Sequence, residues 1–179
     1  ARRLDGAPAL VLLDVDGTLA PLAPRPEDAF VPEATLAAVR ALVAAPETHV
    51  ALVSGRAAHD ARRMVPVPGL WAVGNHGFET HAPDGTRTIE AQVEPWLTEL
   101  RAAAEALTAV AAGVPGARLE DKHLTLSFHY RLAAPDAEPA PREACWAEAS
   151  RHGLLFTEGK KIFELRPPVR VDKGTASIA

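Results

Sequence analysis

The sequence predicts an α/β protein: a doubly wound parallel sheet interrupted by a second, more antiparallel α/β module. Three observations support this. Apolar runs at 9–14 ("ALVLLD"), 49–55 ("HVALVSG") and 70–77 ("LWAVGNHG") are separated by helical segments, the spacing of right-handed parallel crossovers. From about residue 83 the pattern changes to hairpin signals and alternation. Residues 169–179 ("VRVDKGTASIA") then return to the style of the first part. The expected division is therefore 1–82 with 169–179 as a core domain and 83–168 as an inserted α/β domain.

The elements follow in order. The continuous apolar run 9–14 reads as a strand buried on both faces. Residues 31–45 read as a helix, with Pro32 suited to the first turn and Leu36, Val39 and Val43 on one face. A second buried strand at 49–55 ends in a small-residue turn. A helix is expected at 56–65, for which Ser54 also suits the N-cap, and a third strand at 70–77. Ligand sites in such sheets lie beyond the carboxyl ends of the strands, where Asp14, Ser54 and Asn75 fall. In the second module, Asp84-Gly85 marks a hairpin within 81–90. A helix is expected from about Glu94 to Ala112, with Pro95 in its first turn and Gly113 at its end. Residues 117–131 read as a strand, with Leu124, Leu126 and Phe128 on one face and Thr125, Ser127 and His129 on the other. A proline-rich loop and a short helix occupy 134–153. Two strands follow around Glu158-Gly159 in 154–167.

Composition narrows the function classes. The 179 residues suit one domain, or a small core with an inserted module. A net charge of -4 provides no basic footprint for nucleic acid. No apolar run approaches the roughly 18 residues of a membrane span, and Asp14 cuts the first run too short for a signal peptide. The single cysteine, Cys145, allows no intrachain disulfide or multi-cysteine metal site, which points to the cytoplasm. The chain lacks an initiator Met and is expected to be trimmed.

The stretch "LVLLDVDGTLAPL" (10–22) carries the chemistry. Strand period two brings Asp14 and Asp16 to one side, just where the strand ends. Gly17 permits a sharp bend that turns backbone N–H groups toward an anion. Two adjacent carboxylates repel unless a cation joins them, and Mg²⁺ takes one or two protein carboxylates with water and substrate phosphate. A calcium loop is excluded, because Leu19 and Arg25 stand where it needs Gly and Glu. The chemistry suggested is phosphoryl transfer to a carboxylate.

The motif "DVDGTL" resembles the first motif of the haloacid dehalogenase (HAD) superfamily of phosphatases. The resemblance implies a HAD-like Rossmannoid core. It makes Asp14 the nucleophile, Asp16 the general acid/base, and both Mg²⁺ ligands. Ser54 in "VSGR", with the backbone at Gly55, would hold the phosphate, and Lys173 in "VDKG" would neutralise it. The strings "GNHGFE" (74–79), "LEDKHLTLSFHYR" (119–131), "GKKIFELRP" (159–167) and "DKG" (172–174) are similar, in order, to those of the trehalose-6-phosphate phosphatase family. That resemblance implies hydrolysis of trehalose 6-phosphate through an aspartyl phosphate, under a cap domain that excludes water.

Sugar hydroxyls need donors and acceptors in fixed positions, and a cap strand can project them. Lys160, Glu164 and Arg166 have the parity to share one strand face, with Ile162 the apolar exception and Phe163 and Leu165 turned to the core. By resemblance, Lys160 and Glu164 would bind glucose hydroxyls. His129 and Arg131 form a second polar pair. Lys122 has the opposite parity and joins them only through a later strand start or a bulge. Asn75, His76 and Glu79 would line the core side. A zinc site at His76 and His129 is not expected, since neither has a close His or Cys pair. The partner is a small-molecule sugar phosphate and the protein a monomer. The family's fourth motif, an acidic Gly-Asp-Asp type loop that completes the Mg²⁺ site, is expected beyond Ala179, as are the last core strands. Another sugar phosphate such as sucrose 6-phosphate, or a non-catalytic sugar-phosphate-binding role, is the alternative.

Overall fold

The computed structural model describes residues 8–171. The chain divides into two units: one runs to Glu90 and resumes at Val171, and the other is Ala91–Arg170. Among the described residues no helix is long and apolar enough to cross a membrane.

The first unit is a mixed α/β layer. Its strands are β1 (Ala9–Leu13), β2 (Thr48–Val53), β3 (Trp71–Gly74), β4 (Glu79–His81) and β5 (Arg87–Ile89), ordered β1-β2-β3-β4-β5. The first three are parallel and the last two antiparallel. Helix α1 (Glu33–Val43) links β1 to β2, and α2 (Ala58–Met64) links β2 to β3. The core forms where Val11, Leu13, Val50, Leu52 and Ala72 of the sheet meet Leu36 and Val39 of α1 and Ala58 and Ala61 of α2. Both helices thus cover the same face, because the strand order steps one way and each right-handed crossover returns on that side.

Among the described residues β1 is covered on one face. It is not buried on both faces: Val11 and Leu13 join the core, while Leu10 and Leu12 are 57% and 45% exposed. The register places Leu12, Ala51 and Trp71 in one row, so exposed Trp71 shares that bare face.

The expected hairpin at Asp84-Gly85 forms. Gly85 takes φ 93°, and the Asp84 carboxylate accepts from Thr86 N at 2.8 Å. Its strands β4 and β5 extend the core sheet beyond β3 rather than opening the second unit. The structural boundary therefore falls at 90/91 and not at the expected 82/83. Backbone pairing with β3 decides this, and composition carries no trace of it.

The second unit places two helices on an antiparallel sheet. A 3-10 turn (Glu94–Trp96) leads into α3 (Leu97–Ala112). Then come β6 (Arg118–Asp121), β7 (Leu126–His129), α4 (Pro139–Arg151), β8 (Leu155–Gly159) and β9 (Ile162–Arg166), with sheet order β6-β7-β9-β8. Leu126, Phe128, Phe163 and Leu165 pack against Leu100, Ala103, Ala104 and Leu107 of α3 and Cys145 and Ala149 of α4. Tyr130 stacks on Phe163 with centroids 4.5 Å apart.

Two expected strands differ. Residues 117–131 are a hairpin, not one strand. The chain reverses at 122–125, where His123 takes φ 66°, the Asp121 carboxylate accepts from His123 N at 2.7 Å, and Lys122 N donates to Thr125 O. The reversal between β8 and β9 falls on Lys160-Lys161 rather than Glu158-Gly159. Gly159 pairs with Ile162, and Lys161 takes φ 66°.

Candidate active site

The first unit gathers three loops at the carboxyl ends of its parallel strands. Leu13, the last residue of β1, is register-paired with Leu52, so Asp14 emerges one strand away from Ser54. Val15 is fully buried between the two acids, which aims Asp14 and Asp16 away from the core. Gly17 takes φ 83° and donates its N–H to Ala20 O at 2.8 Å. The N–H groups of Leu19 and Ala20 return to Val15 O. This tight loop holds both carboxylates at the strand mouth.

Ser54 is 1% exposed. Its hydroxyl accepts from Arg56 N at 3.1 Å. It does not cap α2, whose N-cap is Ala57 with no local side-chain cap. The His76 ring packs directly on Gly55: a Cβ there would lie 2.7 Å from His76 Cε1. Arg56, which was not among the expected site residues, grips Asp16 with two bonds. Nε donates to Oδ2 at 2.8 Å and Nη2 to Oδ1 at 2.7 Å. The only sequence cue was its place in "VSGR".

The loop after β3 is strained. Asn75 and His76 both take left-handed φ, 49° and 60°, followed by Gly77 at 111°. Non-glycine residues there cost of order 1–3 kcal/mol each and persist only when neighbours hold them. Here Asn75 N donates to Arg56 O (2.7 Å) and His76 N to Ser54 O (3.1 Å). Glu79 holds the rest. Its Oε1 accepts from Asn75 Nδ2 and from Ala58 N, each at 2.8 Å, so it caps α2 from another strand. Gly74 lets α2 approach, since a Cβ there would sit 2.2 Å from Ala58 N.

Asn75 and Glu79 are 0% and 3% exposed, so in this structure they brace the loop rather than line a surface. Half-buried His76 is the member of the expected trio that reaches the Ser54-Gly55 turn. Behind Glu79, Arg87 Nε donates to His81 Nε2 at 2.9 Å, and the same nitrogen lies 3.3 Å from Glu79 Oε2. Burial lowers the His81 pKa below its ordinary 6.5, and the Arg87 charge adds to this against the opposing pull of Glu79.

In the second unit one sheet face packs on α3 and α4, and the other is largely polar. The register sets Glu120, Ser127, Glu164 and Thr157 in one row and Arg118, His129 and Ile162 in the next. Glu164 lies 3.8 Å from Lys122 Nζ and accepts from Ser127 Oγ at 3.5 Å. Lys122 therefore joins this face from the hairpin turn, which removes the parity objection. His129 Nε2 is 2.7 Å from Glu120 Oε2. Burial alone would raise the Glu120 pKa, but the His129 hydrogen bond and the charges of Lys122, His129 and Arg118 outweigh it and hold Glu120 below its ordinary value. Arg166 shares the face of Glu164. Its Nε is buried with no hydrogen-bond partner among the described residues.

Two expected members are displaced. Lys160 sits in the β8–β9 turn and not on the strand face with Glu164 and Arg166. Arg131 lies in the exposed turn after β7, its Nη2 donating to Lys160 O at 3.1 Å. Strand parity fails for both because the backbone has already reversed. Lys173 lies outside the described residues.

For a metal, Asp14 and Asp16 offer hard carboxylate oxygens and no soft donor. Among the described residues no group of three or more His, Cys, Asp or Glu side chains could hold an ion. That donor set fits Mg²⁺, which keeps several waters and uses one or two protein carboxylates, better than zinc.

The trehalose-phosphatase family model matches residues 12–177 of the chain. An uncharacterized glycosyl hydrolase of Mycobacterium tuberculosis is 39% identical over 98% of the chain, which spans 13% of that protein. The trehalose-phosphate phosphatase of Mycobacterium marinum is 36% identical over 92% of the chain, which spans 42% of it. The chain thus covers less than half of these relatives. A crystal structure of a trehalose-6-phosphate phosphatase related protein superposes with a TM-score of 0.84 at 27% identity, covering 93% of this chain and 71% of that one. The C-terminal domain of trehalose-6-phosphate phosphatase from C. albicans shares the fold, with a TM-score of 0.75 at 24% identity over 93% of this chain and 59% of that one.

Proposed function

The chain belongs to the trehalose-phosphatase family, and from that premise we propose that it hydrolyses trehalose 6-phosphate to trehalose and inorganic phosphate. The observation that carries the reading is the placing of Asp14 and Asp16 at the carboxyl end of β1, one parallel strand from Ser54. A carboxylate nucleophile, a second carboxyl group and a hydroxyl are the parts needed for phosphoryl transfer to the protein and on to water.

In this mechanism an Asp14 oxygen attacks phosphorus and the bond from phosphorus to the sugar oxygen breaks. The acid form of Asp16 gives its proton to that oxygen, leaving aspartyl phosphate, trehalose and an Asp16 carboxylate. Asp16 then takes a proton from water as the water attacks phosphorus, which frees phosphate and restores Asp14. Ser54 and the Gly55 backbone orient the phosphate, and His76 borders that turn. Mg²⁺, when bound by Asp14 and Asp16, would offset charge on the phosphoryl group. Lys173 and an acidic residue beyond Ala179 would complete the site. The polar sheet face of the second unit recognises the sugar through Lys122, Glu164, Arg166 and His129, with Lys160 and Arg131 at the adjoining turns. The substrate is a small cytoplasmic sugar phosphate, and the enzyme acts as a monomer.

The test is phosphate release by the longest natural form of the chain, with Mg²⁺ and with a chelator. Trehalose 6-phosphate is compared with sucrose 6-phosphate and glucose 6-phosphate. Selective, Mg²⁺-dependent release from the trehalose ester is expected, and Asp14→Asn is expected to abolish it while the protein stays folded. Equal rates on all three esters overturn the substrate, and an active Asp14→Asn variant overturns the mechanism.

A further inference from the structure

Two adjacent lysines make the turn between β8 and β9, and their side chains differ in what they touch. Gly159 pairs with Ile162, which leaves Lys160 and Lys161 as the turn residues, and Lys161 takes φ 66°. A left-handed second turn position favours Gly or Asn. Lys161 stands there with contacts that glycine cannot make. Its Nζ donates to Glu138 Oε2 at 3.0 Å and lies 5.1 Å from the centroid of the Tyr130 ring. Glu138 opens α4, and Tyr130 stacks on Phe163 of β9. The hydrogen bond from Lys161 holds the Glu138 carboxyl below its ordinary pKa, as a bond to the ionised form does. Two further bonds pin the turn's backbone: Tyr130 N donates to Lys161 O at 3.2 Å and Arg131 Nη2 to Lys160 O at 3.1 Å. Lys160, by contrast, is exposed, and its ammonium has no partner among the described residues.

We propose that Lys161 is a positioning residue for Lys160: its clamp onto Glu138 and Tyr130 fixes the turn that offers the Lys160 ammonium to a sugar hydroxyl. This rests on the phosphatase reading, in which Lys160 adjoins the polar sheet face that recognises the sugar. A lysine ammonium rides on a flexible four-carbon stem, so the region it can reach is set by where its backbone is held. With the clamp in place, only the stem of Lys160 has to be ordered when sugar binds. Without it, the turn must be ordered as well, and that cost is taken from the binding free energy. The sugar ring far from phosphorus does not change during the reaction, so its contacts are the same in the ground and transition states. Their loss therefore raises KM and leaves kcat unchanged.

The experiment measures kcat and KM of the longest natural chain for trehalose 6-phosphate and for p-nitrophenyl phosphate, which carries no sugar. The variants are Lys161→Met, Lys161→Gly and Lys161→Arg. Lys161→Gly relieves the left-handed turn while removing the clamp, so it judges the inference if Lys161→Met folds poorly. For both, KM for the trehalose ester is expected to rise about tenfold, part of what a charge-assisted hydrogen bond from Lys160 contributes, with kcat within about threefold of wild type. On the aryl ester kcat/KM is expected to change less than about threefold, because no sugar contact is there to lose. Lys161→Arg keeps a cation beside Glu138 and Tyr130 and is expected to restore the KM. In a Lys160→Met background, Lys161→Met is expected to raise KM no further.

An unchanged KM in Lys161→Gly, equal losses on both esters, or a further rise in the Lys160→Met background overturns the inference and leaves the phosphatase reading standing. A wild-type protein that leaves trehalose 6-phosphate intact overturns the reading, and this inference falls with it.

Discussion

Glu79→Ala is expected to destabilise the first unit by about 4 kcal/mol. The two carboxylate oxygens do different work. Oε1 accepts from Ala58 N and Asn75 Nδ2, both buried and both at 2.8 Å. Removing it strands two buried donors at about 1–3 kcal/mol each. Oε2 lies 3.3 Å from buried His81 Nε2 and 3.4 Å from Arg87 Nη2; the Arg87 side chain is 60% exposed, and that pair contributes about 0–1 kcal/mol. The expected order is therefore Glu79→Ala at about 4 kcal/mol, Glu79→Gln at about 1–2 because an amide oxygen can still accept at Oε1, and Arg87→Ala below about 1.

The assay is urea unfolding followed by tryptophan fluorescence. Of the three tryptophans, Trp71 lies in the first unit and Trp96 and Trp146 in the second. In a Trp96→Phe, Trp146→Phe background the signal reports the first unit alone. A Glu79→Ala loss below about 1 kcal/mol, or an Arg87→Ala loss equal to it, would refute the reasoning, since either result places the energy on Oε2 or nowhere.

Gly74→Ala is expected to cost more than the about 1–3 kcal/mol of ordinary overpacking, because its Cβ would meet the Ala58 backbone at 2.2 Å and no side chain can yield. The same fluorescence assay checks it, and a near-native midpoint would contradict the close approach of α2. The His81 pKa lies below its ordinary 6.5 in the folded protein, so the unfolded chain takes up the proton first as pH falls. First-unit stability from this group is full above about pH 6.5 and is lost as pH drops through the lower folded value. His81→Phe is expected to flatten that part of the stability–pH curve; an unchanged slope would show that His81 is not its source.

Much of this architecture was legible in the chain. Continuous apolar runs separated by helical spacing mark β1, β2 and β3, because a strand in a parallel sheet needs apolar residues at successive positions. Asp14 and Asp16 stand out because carboxylates directly after such a run have little structural use. The Asp84-Gly85 turn and the α3 stripe were visible for equally local reasons, turn conformation and helical period. Misplaced features lie where the chain reverses without glycine. His123 and Lys161 enter left-handed conformations that their residue types do not advertise, so strand parity runs past the true reversal and puts Lys160 on a face it does not share.

The sequence alone determined the local order of strands and helices, the motif that carries the two acids, and the family, since each rests on residues close together along the chain. The tertiary structure alone decided the partners of those residues. Arg56 reaches Asp16 across forty positions of sequence, and Glu79 caps a helix twenty-one residues behind it. No local pattern encodes either contact. Both arise because parallel strands bring their carboxyl ends side by side, and a buried or half-buried charge must find its hydrogen bonds among whatever neighbours the sheet supplies.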